Sequence, residues 1–432
     1  MGLYDELRAQ YGQMAPVLVP GDLPAWLVLG YRAILEVTRN PSRFSRDSRL
    51  WRCFQDGAVP ADSPLQPTIG HQPLCVFADG PEHRRLRGAV TQGLNRFDRT
   101  GVRRYVTRFA NRLVDSFSAD GHADLVDRFA ERLPMLVMTQ LIGMPEEYGP
   151  RLVDAARDLM RGTETAIASN TFVVQTLQQL TARKELEPGN DLASWLLQDD
   201  RLSNQETLEH LRLVLIAANE TTVNLIANTL RLILTDRRFH GNLKGGQMTL
   251  VDALEQVLWD NPSISVLPGR WATADTELCG QPIRKGDMLL LGLQAGNVDP
   301  EIRPDLFTPV HGNRSHLAFS SGPHACPGQD LGRAIAEAGI DTLLTRLPDL
   351  RLTRHEDSLR LSAGWISRHV VELPVTFTPH PTRSRQDRSG GPHRRETSAQ
   401  KRQGRVTSLT LGHAATGAGR LPWWRRILRS RQ

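Results

Sequence analysis

The sequence predicts a mainly α fold with a minor β component. Four stretches carry apolar residues at helical spacing. They are 102–118, 151–182, 206–236 and 329–347. Shorter stretches rich in apolar and β-branched residues predict strands. They are 25–29, 289–293 and 370–377. Hydrophobic residues make up 40% of the chain, which is enough to build a large core, and no internal repeat is visible.

The first motif that carries chemistry is Asp-Gly-Pro-Glu-His-Arg-Arg-Leu-Arg at 79–87. His83 and Arg87 are four residues apart, so on a helix they lie on the same face. Two cationic groups on one face suit a ligand with a pair of carboxylates. A run of charges on a helix is more often a solvated surface, so this motif depends on those that follow it.

A polar run interrupts an apolar helix predicted over 213–227. The run contains Asn219, Glu220, Thr221 and Thr222. Burying such side chains costs free energy unless they find hydrogen-bond partners. The run therefore indicates either a solvated helix face or a functional groove.

Cys326 lies in a tight loop, Phe-Ser-Ser-Gly-Pro-His-Ala-Cys-Pro-Gly at 319–328, directly before a predicted helix. A lone cysteine is usually a small buried hydrophobe. Here Gly322 and Gly328 would let the backbone approach a flat ligand, and Pro327 suits the first helical turn. The positive end of the helix dipole would then favour the thiolate. This arrangement predicts a thiolate ligand for iron.

These segments, in this order, resemble the cytochrome P-450 family from about Trp26 to Thr378. The Cys326 loop is similar to the family's Phe-x-x-Gly-x-His-x-Cys-x-Gly haem loop. The polar run resembles its Ala-Gly-x-Asp/Glu-Thr-Thr signature, with Ala218 in place of the usual glycine, and 79–87 is similar to the helix at the haem edge. The resemblance implies the P-450 fold, a triangular helical body with small β-sheets, and haem b as the cofactor.

The resemblance also implies a role for each site residue. Cys326 is the metal ligand. Among the catalytic residues, Thr221 hydrogen-bonds dioxygen, Glu220 belongs to the proton-delivery path and Thr222 supports the groove. The cofactor-binding residues hold the propionates or cover the porphyrin. They are His83, Arg87, Arg270, Phe319, His324 and Gly328.

The chain departs from the family at a Glu-x-x-Arg pair on a helix, which is normally joined to an arginine in a following loop. Within 252–262 the expected Glu falls on Gln256 and the expected Arg on Trp259, while His311 replaces the loop arginine. Losing one member of a buried charge pair is strongly destabilising. The joint change therefore predicts a replacement, in which Gln256 and His311 exchange neutral hydrogen bonds beside Trp259.

Charge is distributed unevenly along the chain. Residues 378–432 contain 13 Lys and Arg and 2 Asp and Glu, which gives this segment a net charge of +11. Because the whole chain has a net charge of +6, the preceding residues carry a net charge of −5. We therefore predict a haem-thiolate domain over 1–378 and a basic, disordered tail over 379–432. Its short amphipathic end, 421–431, suits an anionic membrane surface or a partner protein, and no specific nucleic acid. The alternative is a tail without a partner.

Cysteine usage and the N-terminus predict the compartment. The four cysteines are scattered without zinc or disulfide spacing, which indicates a reducing environment. Residues 1–8 open no long apolar run, so we expect neither a signal peptide nor an anchor helix. A cytoplasmic protein, like the soluble bacterial members of the family, is the resulting expectation.

The leading functional hypothesis is a monooxygenase that activates O2 with electrons from a ferredoxin and its reductase and oxidises a small apolar substrate. The intact Glu220–Thr221 pair favours it. Two alternatives stay open. One is a haem-binding sensory or scaffolding protein with little turnover, which the altered charge pair and the basic tail favour. The other is a peroxide-driven oxygenase, which would not need Thr221.

Overall fold

The computed structural model describes residues 2–380 except 61, 62, 64, 66–68, 162–164, 241–247, 363 and 365. The predicted tail over 379–432, with its amphipathic end, lies outside the described residues apart from Pro379 and His380. The helices are α1 (Gly2–Tyr11), α2 (Tyr31–Arg39), α3 (Arg52–Gln55), α4 (Gly80–Asn95), α5 (Arg99–Asp115), α6 (Leu133–Ile142), α7 (Tyr148–Arg161), α8 (Ala166–Leu186), α9 (Leu192–Leu197), α10 (Asn204–Thr235), α11 (Arg237–His240), α12 (Leu250–Asp260), α13 (Leu293–Asn297) and α14 (Gln329–Arg346). The strands are β1 (Met14–Val19), β2 (Leu23–Val28), β3 (Phe44–Ser45), β4 (His122–Asp124), β5 (Leu267–Ala272), β6 (Thr276–Leu278), β7 (Gln281–Ile283), β8 (Met288–Leu291), β9 (Arg351–Leu352) and β10 (Pro374–Thr376).

The mainly helical fold with small sheets is confirmed. The stretches predicted at 102–118, 206–236 and 329–347 form α5, α10 and α14. The stretch at 151–182 covers parts of two helices, α7 and α8, rather than one. Gly162 and Thr163 lie between those helices, and both residue types have low helix propensity.

The main sheet has the strand order β1-β2-β8-β5-β3. The strands predicted at 25–29 and 289–293 are β2 and β8, which pair in parallel. Within 370–377 only β10 is a strand, and Val370 makes an isolated bridge to Leu361. Arg270 in β5 pairs with Leu289 in the central strand β8, so its backbone is fixed within this sheet.

Helix α10 runs through the core and packs against α6, α8, α12 and α14. A capping box fixes its start: the hydroxyl of Ser203 accepts from the backbone of Glu206, whose carboxylate accepts from the backbone of Ser203. The helix is long and apolar enough to cross a membrane by length and composition, yet 67% of its apolar window is buried inside the protein. Such burial is the pattern of a core helix.

Candidate cofactor site and active site

The loop around Cys326 is closed by a hydrogen bond of 2.8 Å from the Cys326 backbone N–H to the carbonyl of Phe319. Helix α14 begins at Gln329 with Gly328 as its N-cap, so Pro327 precedes the cap and does not occupy the first turn. Burial raises the pKa of the Cys326 thiol, against the Gly328 backbone N–H and nearby guanidinium charges. Burial thus opposes the predicted helix-dipole effect, which stays a prediction, whereas the Gly328 backbone N–H and the charges of Arg87 and Arg333 favour the thiolate. A coordinating metal cation is what deprotonates such a thiol.

The two glycines of the loop have different roles. Gly322 has a φ of +69°, and a Cβ there would lie 2.3 Å from the carbonyl oxygen of Thr38. Gly322 is thus required by its backbone conformation and by close packing on the end of α2, and the approach of its backbone to a flat ligand stays a prediction. At Gly328 the nearest atom to an added Cβ is the Cys326 Sγ, at 4.0 Å. A small residue at this position leaves the space beside the sulfur open.

Four predicted cofactor-binding residues converge beside the loop from three elements. His83 and Arg87 come from α4 and share a face as predicted, and Arg270 comes from β5. The His83 and His324 rings lie 4.0 Å apart between centroids. The Arg87 guanidinium donates to the carbonyl of Ala325, which ties α4 to the Cys326 loop.

The cluster is rich in cationic side chains. Burial lowers the pKa of Arg270 well below its usual range, and the neighbouring Arg46 lowers it further. Burial also brings the pKa of His324 down to about 3, although its hydrogen bond to Asp79 opposes this. For Asp79, burial favours a higher pKa, but hydrogen bonds from His324 and Ser45 outweigh it and bring the pKa to about 2. Asp79 is therefore ionised. Its single negative charge does not balance the positive charges of Arg46 and Arg270.

Two polar atoms of this cluster fit a dianionic ligand. Nη1 of Arg270 and Nε2 of His83 are buried without a hydrogen-bond partner in the part of the chain that the structure describes. A buried polar group left unpaired costs about 1–3 kcal/mol. A ligand with two carboxylates would supply the missing acceptors, so these residues fit the propionates of haem b. Arg46 and Asp79 were not predicted as site residues; Asp79 had a signal in its motif, whereas Arg46 had none.

The predicted catalytic residues lie on α10. The Thr221 hydroxyl donates to the carbonyl of Ala217 at 2.7 Å, and the Ser263 hydroxyl donates to the carbonyl of Thr221 at 2.7 Å. Ile216 and Ala217 are exposed, next to the buried Leu215 and the half-buried Ala218. Thr222 is buried, and its Oγ1 lies 3.9 Å from the place of a Cβ on Gly332 of α14. Thr222 therefore packs against α14, and its predicted role in supporting the groove stays a prediction.

Glu220 lines a mainly apolar cavity of about 130 Å³ between α6, α7, α8 and α10. Burial raises the pKa of its carboxyl, while a hydrogen bond with Ser367 at 3.5 Å works against this. Glu220 consequently keeps its proton to a higher pH than an ordinary glutamate. The sequence did not reveal Ser263 or Ser367, because single serines in loops carry no periodic signal.

The positions of the missing Glu-x-x-Arg pair form hydrogen bonds, but not with the predicted partners. Gln256 donates to Asp260 at 2.6 Å and accepts from the backbone N–H of Val310 at 3.4 Å. The Trp259 indole donates to the carbonyl of Asn313 at 2.7 Å. His311 is exposed. The predicted Gln256–His311 exchange is therefore wrong, since the loop turns the histidine side chain towards solvent and presents its backbone instead.

A buried charge network lies next to these positions. Glu255 accepts from Arg333 at 2.9 Å and lies 3.1 Å from the His316 Nε2. The Phe319 ring packs between these partners, with the Arg333 guanidinium 4.6 Å and the His316 ring 5.7 Å from its centroid. Phe319 is thus fixed from α12 and α14 together, and its predicted place against the cofactor stays a prediction.

Comparisons with known proteins agree with this geometry. Residues 261–358 match the family described as Cytochrome P450. The chain is 30% identical over 393 residues to the biotin biosynthesis cytochrome P450 of Bacillus subtilis (strain 168), covering 87% of this chain and 95% of that protein. It is 30% identical over 386 residues to the vitamin D(3) 25-hydroxylase of Pseudonocardia autotrophica, covering 87% and 93%.

Among solved structures, the myxobacterial cytochrome P450 CYP267B1 in complex with myristic acid superposes with a TM-score of 0.77 at 28% identity, covering 88% of this chain and 96% of that one. The match at 30% identity over 87% of this chain and 95% of the Bacillus subtilis protein decides the family. The chain belongs to the cytochrome P450 family and is a haem b-dependent monooxygenase.

Proposed function

We propose that the protein activates O2 with electrons from a ferredoxin and its reductase and oxidises a small apolar substrate, with Cys326 as the metal ligand. Haem with a thiolate ligand supplies the chemistry that cleaves the O–O bond. His83, Arg87, Arg270 and His324 hold the propionates. The observation that carries this proposal is the placement of Glu220 and Thr221 side by side on the core helix α10, each with a hydroxyl partner from a loop.

In this proposal the residues of α10 manage protons. Glu220 has a raised pKa because of its burial, so it keeps its proton to a higher pH than an ordinary glutamate. Thr221 hydrogen-bonds the dioxygen substrate, after its hydroxyl turns away from the Ala217 carbonyl that it now contacts at 2.7 Å. A peroxide-driven oxygenase would need neither group, and for that reason we place it second.

An apolar substrate agrees with the exposed face of α10 at Ile216 and Ala217. The relatives point to the same class of ligand, since one is named a vitamin D(3) 25-hydroxylase and another was solved with myristic acid. Neither name decides which apolar compound this chain oxidises.

A ferredoxin agrees with an open depression of about 850 Å³ on α4. Its lining includes Arg84, Arg87 and Arg96 together with Pro323 of the Cys326 loop. Ferredoxins are acidic, and opposite charge guides the encounter of such partners. We also propose a cytoplasmic location, a domain boundary near residue 378, and contact of the basic tail with a membrane surface or a partner protein.

The test is the Thr221→Ala variant in a ferredoxin-supported assay, with Thr221→Ser as the matched control. The alanine variant should bind haem and substrate normally but divert reducing equivalents to hydrogen peroxide, because the hydroxyl that directs protons is gone. The serine variant should restore most of the product yield. Equal coupling of electrons to product in the wild type and Thr221→Ala would contradict the proposal.

A further inference from the structure

Trp259 occupies the position of the family's paired arginine and contacts the loop that precedes Cys326 on two sides. Its side chain is 1% exposed. The indole N–H donates to the carbonyl of Asn313. The His316 ring meets the Trp259 ring edge to face, at 6.0 Å and 89°, and such pairs contribute beyond the area that they bury.

An ion pair holds Trp259 from the opposite side. The guanidinium of Arg303 lies 5.3 Å from the centroid of the Trp259 ring. Arg303 donates to Asp260 at 2.7 Å, and the second oxygen of that carboxylate accepts from Gln256. The Arg303 side chain is only 8% exposed, so its charge depends on Asp260, and its place against the indole is fixed.

The contacts continue from Trp259 to the metal ligand. The His316 ring lies 5.7 Å from the ring of Phe319. The carbonyl of Phe319 accepts the backbone N–H of Cys326 at 2.8 Å. Each of these contacts is direct and joins buried or half-buried groups. A displacement of the Trp259 ring would therefore shift the loop that positions the Cys326 sulfur.

We propose that Trp259, held by the Asp260–Arg303 ion pair, is a positioning residue for Cys326 and takes the place of the missing Glu-x-x-Arg pair. The proposal rests on the haem-thiolate function. In this chain the charged pair is Asp260–Arg303 at the end of α12, and the Trp259 ring connects that pair to the Cys326 loop. Gln256 orients the carboxylate, and His311 has no part.

The experiment measures how much of the reduced carbon monoxide complex of the holoenzyme keeps the strongly red-shifted Soret band of a thiolate ligand. Trp259→Leu removes the aromatic ring, whereas Trp259→Phe keeps an aromatic ring at this position but loses the indole N–H and part of the ring area. Leu258→Ala is the matched control, because Leu258 is equally buried on α12 but contributes no aromatic ring and no charge to the contacts that join Trp259 to the loop. Thermal unfolding is recorded for every variant.

We expect Trp259→Leu to raise the ratio of thiolate-free to thiolate-ligated complex by roughly threefold to tenfold, the range that an aromatic pair contributes. Trp259→Phe should restore most of the band, and Leu258→Ala should lower the unfolding temperature without changing the ratio. Equal band loss in Trp259→Leu and Leu258→Ala, or no loss in Trp259→Leu, would overturn the proposal.

Arg303→Gln keeps the proposal testable should Trp259→Leu not fold. It leaves the ring in place and removes its support, so a smaller loss of the same band is expected, and an unaltered band would overturn the role of the ion pair. A wild-type protein without the red-shifted band would instead refute the haem-thiolate function itself. The two failures are thereby distinguished.

Discussion

Arg333 Nε lies 2.9 Å from Oε1 of Glu255, which joins the helix that follows Cys326 to α12. The carboxylate of Glu255 is 1% exposed, and His316 is its second buried partner. This network fixes the position of Phe319, because the Arg333 guanidinium lies over the Phe319 ring. The haem loop is therefore braced by a charge pair even though the Glu-x-x-Arg positions of the family are occupied by neutral residues.

Glu255→Gln should lower the free energy of unfolding by about 3–5 kcal/mol, the usual cost of breaking a buried pair. Urea unfolding of the variant measures it. Glu337→Gln is the control, because among the described residues Glu337 pairs only with the exposed Arg103, at 4.0 Å, and exposed pairs contribute about 1 kcal/mol or less. Equal losses in the two variants would contradict the role of Glu255.

Cys326→Ser should abolish the red-shifted Soret band of the reduced carbon monoxide complex, because a hydroxyl does not replace the thiolate. Cys53→Ser is the control, since Cys53 packs in the cluster of β1, β2 and β8, away from the haem loop. The difference spectrum of both proteins decides the matter. A band that persists in Cys326→Ser would show that the ligand assignment is wrong.

Glu220→Gln should raise the unfolding temperature at neutral pH and flatten its pH dependence. Burial raises the pKa of Glu220 above 4.5, so the folded protein binds this proton more tightly than the unfolded chain. The associated stability is complete below the unfolded pKa and is lost as the pH rises through the folded pKa. Glutamine cannot ionise, so the variant avoids this loss, and its coupling of electrons to product should fall. Parallel pH profiles of the two proteins would exclude a buried, titrating Glu220.

Ser320→Gly should stabilise the protein by about 1 kcal/mol, the usual cost of a left-handed backbone at a non-glycine residue. Ser320 has a φ of +58°, and its hydroxyl is buried without a hydrogen-bond partner among the residues that the structure describes. Thermal unfolding measures the gain. Gly322→Ala is the opposite control and should destabilise, because its Cβ would meet the Thr38 carbonyl. A destabilising Ser320→Gly would mean that the hydroxyl has a partner which outweighs the backbone strain.

Local patterns predicted several of the longer helices and two strands of the main sheet. Helices α5, α10 and α14 follow from apolar periodicity, and β2 and β8 follow from short apolar runs, because a helix or strand buries one face at a fixed spacing. The boundary between α7 and α8 was missed. Apolar periodicity continues on both sides of residues 162–164, so apolar spacing alone does not show that the stretch contains two helices.

The haem loop, the polar run on α10 and the motif at 79–87 were also visible in the sequence, since each is a short string of neighbouring residues. The residues that contact these motifs in the folded protein were not visible in the sequence. Arg46 beside Arg270, Ser263 on the Thr221 carbonyl and Arg303 over Trp259 are contacts between residues far apart in the chain. No spacing rule predicts such contacts, because they depend on how whole elements pack.

The sequence by itself determined the family, the metal ligand candidate and the loss of the Glu-x-x-Arg pair, because side-chain chemistry and local spacing are written directly in the chain. Only the tertiary structure decided what replaced that pair. It turned His311 to solvent, placed Asp260 opposite Arg303 and set Trp259 between Arg303 and His316. Burial, which raises the pKa of Cys326 and Glu220, is likewise a property of the packed molecule and not of any motif.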